Sequence, residues 1–135
     1  MILFVDDEVK RMSSYKEELE HHYPISFQHR VEGALEFFEQ HVEEIQLLIL
    51  DIMMGHGKIF GRDESAIGRK TGVLFYRLIR QRAPDLPVII FTNSVEFEEE
   101  FRGEANCRYL RKKHYYPGEL VEVVRDCLND SPLIG

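Results

Sequence analysis

The sequence has no apolar run approaching the roughly 20 residues needed to cross a bilayer. Its N-terminus also lacks the basic flank, long apolar core and small-residue cleavage site of a secretory signal. A soluble, cytoplasmic protein is therefore expected. Cysteine is scarce: Cys107 and Cys127 stand far apart without metal-ligand spacing, so both are expected to be reduced packing residues. Basic charge is in the minority, with 17 Lys and Arg against 24 Asp and Glu and a net charge of −7. That balance argues against a general electrostatic footprint for nucleic acid, which needs clustered Lys and Arg. No internal repeat is present. At 135 residues the chain suits one domain with a proper core.

What is present is an alternation of two periods. Short runs rich in Ile, Val, Leu and Phe at 2–5, 47–50 and 88–91 suit strands covered on both faces. "ISFQH" at 25–29 and "CRYL" at 107–110 are weaker strand candidates. Between them fall helical tracks: Val9, Met12, Lys16 and Leu19; Val31, Leu35, Phe38 and Val42; Val73, Tyr76, Ile79 and Arg80. A short acidic segment with Ser94 as its expected N-cap makes a fourth helix, and Leu120, Val123, Val124, Cys127 and Leu128 line a fifth. Strands alternating with helices predict right-handed crossovers, a parallel sheet and helices on both faces. Ligands of such folds gather at the carboxyl ends of the strands. Residues 52–70 break the pattern with four glycines and no clean period, which predicts a long loop directly after a strand end.

The strand ends carry the chemistry. "ILFVDDEVK", residues 2–10, runs a buried strand straight into Asp6, Asp7 and Glu8. Like charges this close repel unless they are protonated or share a cation. Asp51 closes the third strand, Thr92 closes the fourth and Lys112 follows the fifth. Several carboxylates, a hydroxyl and one ammonium make a poor hydrolase triad but a good holder for a hard divalent cation and a phosphoryl group. Mg2+, which takes an octahedral oxygen shell and one or two protein carboxylates with a phosphate oxygen, suits them best. A carboxylate can attack phosphorus only when charge on the transferring group is neutralised, and Lys112 with the cation would do so. Taken singly, each feature has a blander reading: an acid pair at a helix start, a capping Thr, a solvated Lys112–Lys113 pair. Their shared edge and their order favour the constellation. His56, five residues after Asp51, is expected to be a solvated loop histidine, and His21, His22, His29, His41 and His114 show no ligand spacing with a second ligand type and receive no role.

These residues resemble the receiver domain of two-component response regulators, over about Ile2 to Leu128. The pattern is an acid pair after the first strand, an acceptor Asp after the third, Thr or Ser after the fourth and Lys after the fifth. The resemblance implies a flavodoxin-like, doubly wound, five-stranded sheet of order 2-1-3-4-5 with five helices in three layers. It implies that Asp51 accepts the phosphoryl group, while Asp6, Asp7, Asp51 and the backbone carbonyl of Met53 hold Mg2+. Thr92 would hydrogen-bond the phosphoryl, Lys112 would pair with its charge, and Tyr109 would turn inward on activation. The implied partners are a histidine kinase or histidine phosphotransfer protein and a downstream protein target, with no direct contact to nucleic acid or membrane. The oligomeric state is left open, a homodimer included. The expected layout is a stand-alone receiver over 1–130 with its extended loop at about 52–70, then a tail at 131–135. No enzyme activity is expected beyond its own phosphorylation and dephosphorylation.

The chain departs from that pattern in three places. Gly55 stands where a Pro is common, and the loop that follows is longer than usual, so residues 55–70 are expected to form a lid or partner contact. Lys113 replaces the Pro that usually follows the Lys across a cis bond. A cis non-proline bond costs about 3 kcal/mol, so a trans bond is expected here. Asn93 replaces the usual small residue after the Thr and is expected to crowd donor entry. Two rivals remain: a degenerate receiver that binds a partner without phosphorylation, and a phosphatase with an Asp nucleophile. The phosphatase reading wants a general-acid Asp two residues after the nucleophile, where Met53 stands.

Overall fold

The computed structural model describes residues 1–54 and 71–129. The expectations for 55–70 and for the tail at 131–135 lie outside the described residues. Strands β1 (Ile2–Val5), β2 (Ile25–Gln28), β3 (Leu47–Leu50), β4 (Val88–Thr92) and β5 (Cys107–Arg111) form one sheet. Every pairing is parallel and the order is β2-β1-β3-β4-β5. Helices α1 (Val9–Glu20), α2 (Val31–His41), α3 (Thr71–Arg82), α4 (Glu98–Arg102) and α5 (Pro117–Asn129) accompany it, with a 3-10 turn over Lys112–His114.

Strands β1, β3 and β4 are buried at every residue because helices cover both faces of the sheet. Alternation along each strand divides their side chains between two cores. Leu3, Val5, Leu48, Leu50, Val88 and Ile90 pack with Val31 and Phe38 of α2, Val73 and Ile79 of α3 and Phe101 of α4. Ile2, Phe4, Leu47, Ile49, Ile89 and Phe91 pack with Met12 and Leu19 of α1 and Leu120, Val121 and Val124 of α5. The result is the flavodoxin-like three-layer architecture. Truncating a core Leu or Ile in such packing to Ala typically costs about 2–5 kcal/mol, so the strands give the site a stiff base.

Local details refine the expected pattern. Val9 and Val42 sit on the predicted apolar tracks yet are 50% and 41% exposed, because one opens α1 and the other follows the end of α2. Ser94 is not the N-cap of α4: that helix starts at Glu98 behind Phe97, with no side-chain cap. The Ser94 hydroxyl instead accepts the Glu96 N–H at 3.1 Å, closing a turn ahead of the helix. Cys107 and Cys127 are both reduced, with no disulfide between them. No described peptide bond is cis, so Lys112–Lys113 is trans. No described helix is long and apolar enough to cross a membrane. Gly72, in the first turn of α3, lies against the Ile52 backbone so closely that a Cβ there would overlap the Ile52 Cα, carbonyl carbon and oxygen.

Candidate functional site

Strand register builds the site. Val5 pairs with Leu50, so Asp6 and Asp51 leave β1 and β3 side by side. The Asp51 N–H donates to the Val5 carbonyl at 3.0 Å, which extends the ladder to the acid itself. Thr92 pairs with Arg111, so Lys112 emerges one residue beyond the level of Thr92. All four are buried: Asp6 and Thr92 completely, Asp51 and Lys112 at 4% and 5% exposure.

Three strand ends close in the same way. Asp6 Oδ1 accepts the Glu8 N–H at 2.8 Å, Asp51 Oδ1 accepts the Met53 N–H at 2.9 Å, and Thr92 Oγ1 accepts the Ser94 N–H at 3.3 Å. Each is an Asx- or ST-type turn, in which a short polar side chain satisfies the backbone two residues on. The turns fix one oxygen of each carboxylate and leave Oδ2 for other partners.

Lys112 takes those partners. Its Nζ lies 2.8 Å from Asp6 Oδ2, 2.8 Å from Glu8 Oε1 and 2.8 Å from Asp51 Oδ2. It donates well-aligned hydrogen bonds to Glu8 and Asp51. Asp6 Oδ2, fully buried, has the Lys112 ammonium as its counter-charge. Burial pushes the Asp6 carboxyl up to about 6; the nearby Lys112 ammonium pulls the other way and the Asp51 carboxylate adds to the rise. Burial opposes the charge on Lys112, yet the carboxylates of Asp51 and Asp6 outweigh it and raise its pKa. The hydrogen bond from Lys112 holds Glu8 below the usual carboxylate range.

A cavity of about 570 Å³ opens above this cluster, walled by Asp51, Met53, Thr92, Asn93, Ser94 and Lys112. Asp7, Glu8 and Arg11 complete its rim. Tyr109 stands beside it, half-buried, with its hydroxyl donating to the Ser94 carbonyl at 2.7 Å and its ring 5.9 Å from that of Phe101. Burial lifts the Tyr109 hydroxyl to about 12, so it stays a hydrogen-bond donor at any physiological pH. The Lys112 carbonyl is held from below by the Tyr115 N–H at 3.2 Å. The Tyr15 hydroxyl of α1 donates to the adjoining Tyr115 carbonyl at 2.6 Å.

The structure therefore brings Asp6, Asp51, Thr92 and Lys112 into one group and sets Asp7 and Met53 on the cavity wall, both exposed. Sequence reasoning gave Glu8 no role. The Asp6–Glu8 turn folds the third acid of the run back toward Lys112, through a local hydrogen bond that residue spacing does not report. Asp6, Glu8 and Asp51 each offer an oxygen within 4.8 Å of the others. An all-oxygen set of three clustered carboxylates, two of them buried, fits a hard cation such as Mg2+.

The fold is the one found in solved response-regulator receiver domains, many of which match almost the whole chain. A receiver-domain protein from Clostridium thermocellum is 22% identical, with 99% of this chain and 98% of that chain covered and a TM-score of 0.72. The receiver domain of NtrX from Brucella abortus is 20% identical over 97% and 100% of the two chains, with a TM-score of 0.73. A CheY-like receiver protein from Methanospirillum hungatei JF-1 is 21% identical over 99% and 97%, with a TM-score of 0.73. No protein-family model and no curated protein matches the sequence. At these identities the likeness is one of fold.

Proposed function

We propose that the chain is a phosphoacceptor receiver, taking a phosphoryl group on Asp51 and signalling its presence to a protein partner. The observation that carries this reading is the buried Lys112 ammonium 2.8 Å from Asp51 Oδ2, beside Asp6 and lining the same cavity as Thr92. Nucleophile, counter-charge and hydroxyl donor thus share one cavity floor. In the proposed step an Asp51 oxygen attacks phosphorus and forms the O–P bond of an aspartyl phosphate. The P–N bond to the donor histidine breaks, and the imidazole nitrogen keeps the electron pair and takes a proton from solvent. Mg2+, held by Asp6 and Asp51 with Glu8 or Asp7 and the Met53 carbonyl, would neutralise charge on the transferring group. Lys112 pairs with the phosphoryl oxygens and Thr92 donates its hydroxyl to one of them.

The new dianion draws Thr92 and the turn to Ser94 toward the site. Ser94 is the residue whose carbonyl anchors Tyr109, so movement there releases or repositions the aromatic ring. Donor and reader are proteins in this reading: a cytoplasmic histidine kinase or phosphotransfer protein, and a downstream target. Titration with beryllofluoride, a phosphoryl mimic, in the presence of Mg2+ tests it. Chemical-shift changes at Asp51, Thr92, Lys112 and their turns, extending through Ser94 to Tyr109, are expected, and Asp51→Asn abolishes them. An unresponsive protein with an intact fold supports instead a phosphorylation-independent interaction module.

A further inference from the structure

The two residues that depart from the receiver pattern around the cavity are bonded to each other: Asn93 Oδ1 accepts the Lys113 backbone N–H at 3.0 Å. Proline at 113 would offer no N–H, and a small residue at 93 would offer no acceptor. We infer that Asn93 is a positioning residue that sets the reach of Lys112 by tying the peptide after it to the end of β4. This rests on the receiver reading and extends it to the Asn93–Lys113 pair.

The geometry is specific. Lys112 opens the 3-10 turn, and its carbonyl side is pinned by Tyr115 while Tyr15 secures the Tyr115 carbonyl. Asn93 secures the other side of the same peptide, through Lys113, from the residue next to Thr92. The Lys112 backbone is thereby clamped between α1 and β4, and its ammonium is delivered to Asp6, Glu8 and Asp51. Lys112 is also an internal cation for the carboxylates that a divalent ion would use, so ammonium and ion compete. Loosening the clamp should act on the two events with opposite sign. The ion faces a weaker competitor, while the transferring phosphoryl loses a well-placed counter-charge.

The test uses Asn93→Ala, which removes the acceptor, Lys113→Pro, which removes the donor, and the double variant. Faster hydrogen exchange of the Lys113 amide in Asn93→Ala reports loss of the bond itself. Each single variant should tighten Mg2+ binding by about twofold or more, since reciprocal coupling links the two cations. Each should also slow phosphorylation by a small-molecule phosphodonor at saturating Mg2+ by about fivefold or more, the scale of a misplaced catalytic group. The double variant should match the singles, because both remove one interaction. A general loss of structure would weaken both events together. Additive effects, parallel losses or unchanged values overturn the tether and leave the receiver reading standing. If the unaltered protein takes no phosphoryl group, the receiver reading fails and the tether's role in transfer falls with it.

Discussion

Lys112 Nζ and Asp51 Oδ2 are 2.8 Å apart, and both side chains are 95% withdrawn from solvent. They arrive from β5 and β3, 61 residues apart in sequence. A buried ammonium needs a counter-charge, and a buried carboxylate nucleophile needs a cation to approach an anionic donor. One contact meets the first requirement and, under the proposed function, would meet the second.

Lys112→Met keeps the length of the stem and deletes the charge. It leaves Asp6 and Asp51 facing each other without their ammonium, and breaking a buried pair this way costs about 3–5 kcal/mol. Thermal unfolding at neutral pH should shift down accordingly. Adding Mg2+ should recover more stability in the variant than in the parent protein, because the ion then supplies the missing positive charge.

Asp6 sets a pH dependence of unusual sign for a carboxylate. Its folded-state value of about 6 lies above the ordinary 3.8, so the folded protein holds this proton more tightly than the unfolded chain. The stability it contributes is complete below about pH 4 and is lost as pH rises through about 6. Asp6→Asn, which is neutral at every pH and keeps an oxygen for the Glu8 N–H, should therefore raise the unfolding temperature at pH 7. The difference should vanish below pH 4. Mg2+ affinity of the parent protein should fall as pH drops below about 6, when Asp6 protonates.

Tyr109→Phe removes the hydroxyl that reaches the Ser94 carbonyl. The expected loss of stability is about 1 kcal/mol, the usual net value of one hydrogen bond. Phosphorylation of Asp51 should proceed at nearly the parent rate. The spectroscopic response of the β4–α4 turn should weaken, since its anchor on β5 is gone.

Gly72→Ala places a methyl group against the Ile52 backbone, which cannot rotate away as a side chain could. Helix propensity favours Ala by about 1 kcal/mol, and overpacking of this kind costs about 1–3 kcal/mol. A net fall in stability measured by chemical denaturation is the expected outcome. The chain leaving Asp51 should shift as well, so Mg2+ affinity should fall together with stability.

Much of this was legible in the sequence for a physical reason. Strands β1, β3 and β4 are covered on both faces, so they appear as unbroken apolar runs, and the acids at their ends stand out against them. Even the half-buried β2 and β5 could be placed from their spacing. Helix tracks were less exact at their ends: Val9 and Val42 follow the period but lie where a helix starts or stops, and period alone does not report coverage. Ser94 resembled a cap because serine serves both caps and turns, and its hydroxyl chose the turn. Glu8 was obscured by its neighbours, because which acid of a run turns inward depends on the Asp6–Glu8 hydrogen bond rather than on spacing. The Asn93–Lys113 bond was invisible for the same reason: it joins two loops whose proximity only the sheet order provides.

The central claim is tested most directly by incubating the protein with Mg2+ and a small-molecule phosphodonor, then mapping the adduct by mass spectrometry. The account predicts one added phosphoryl group on the peptide containing Asp51, absent without Mg2+ and absent in Asp51→Asn. A folded, Mg2+-saturated protein that gains no phosphoryl group, or gains it at another residue, contradicts it.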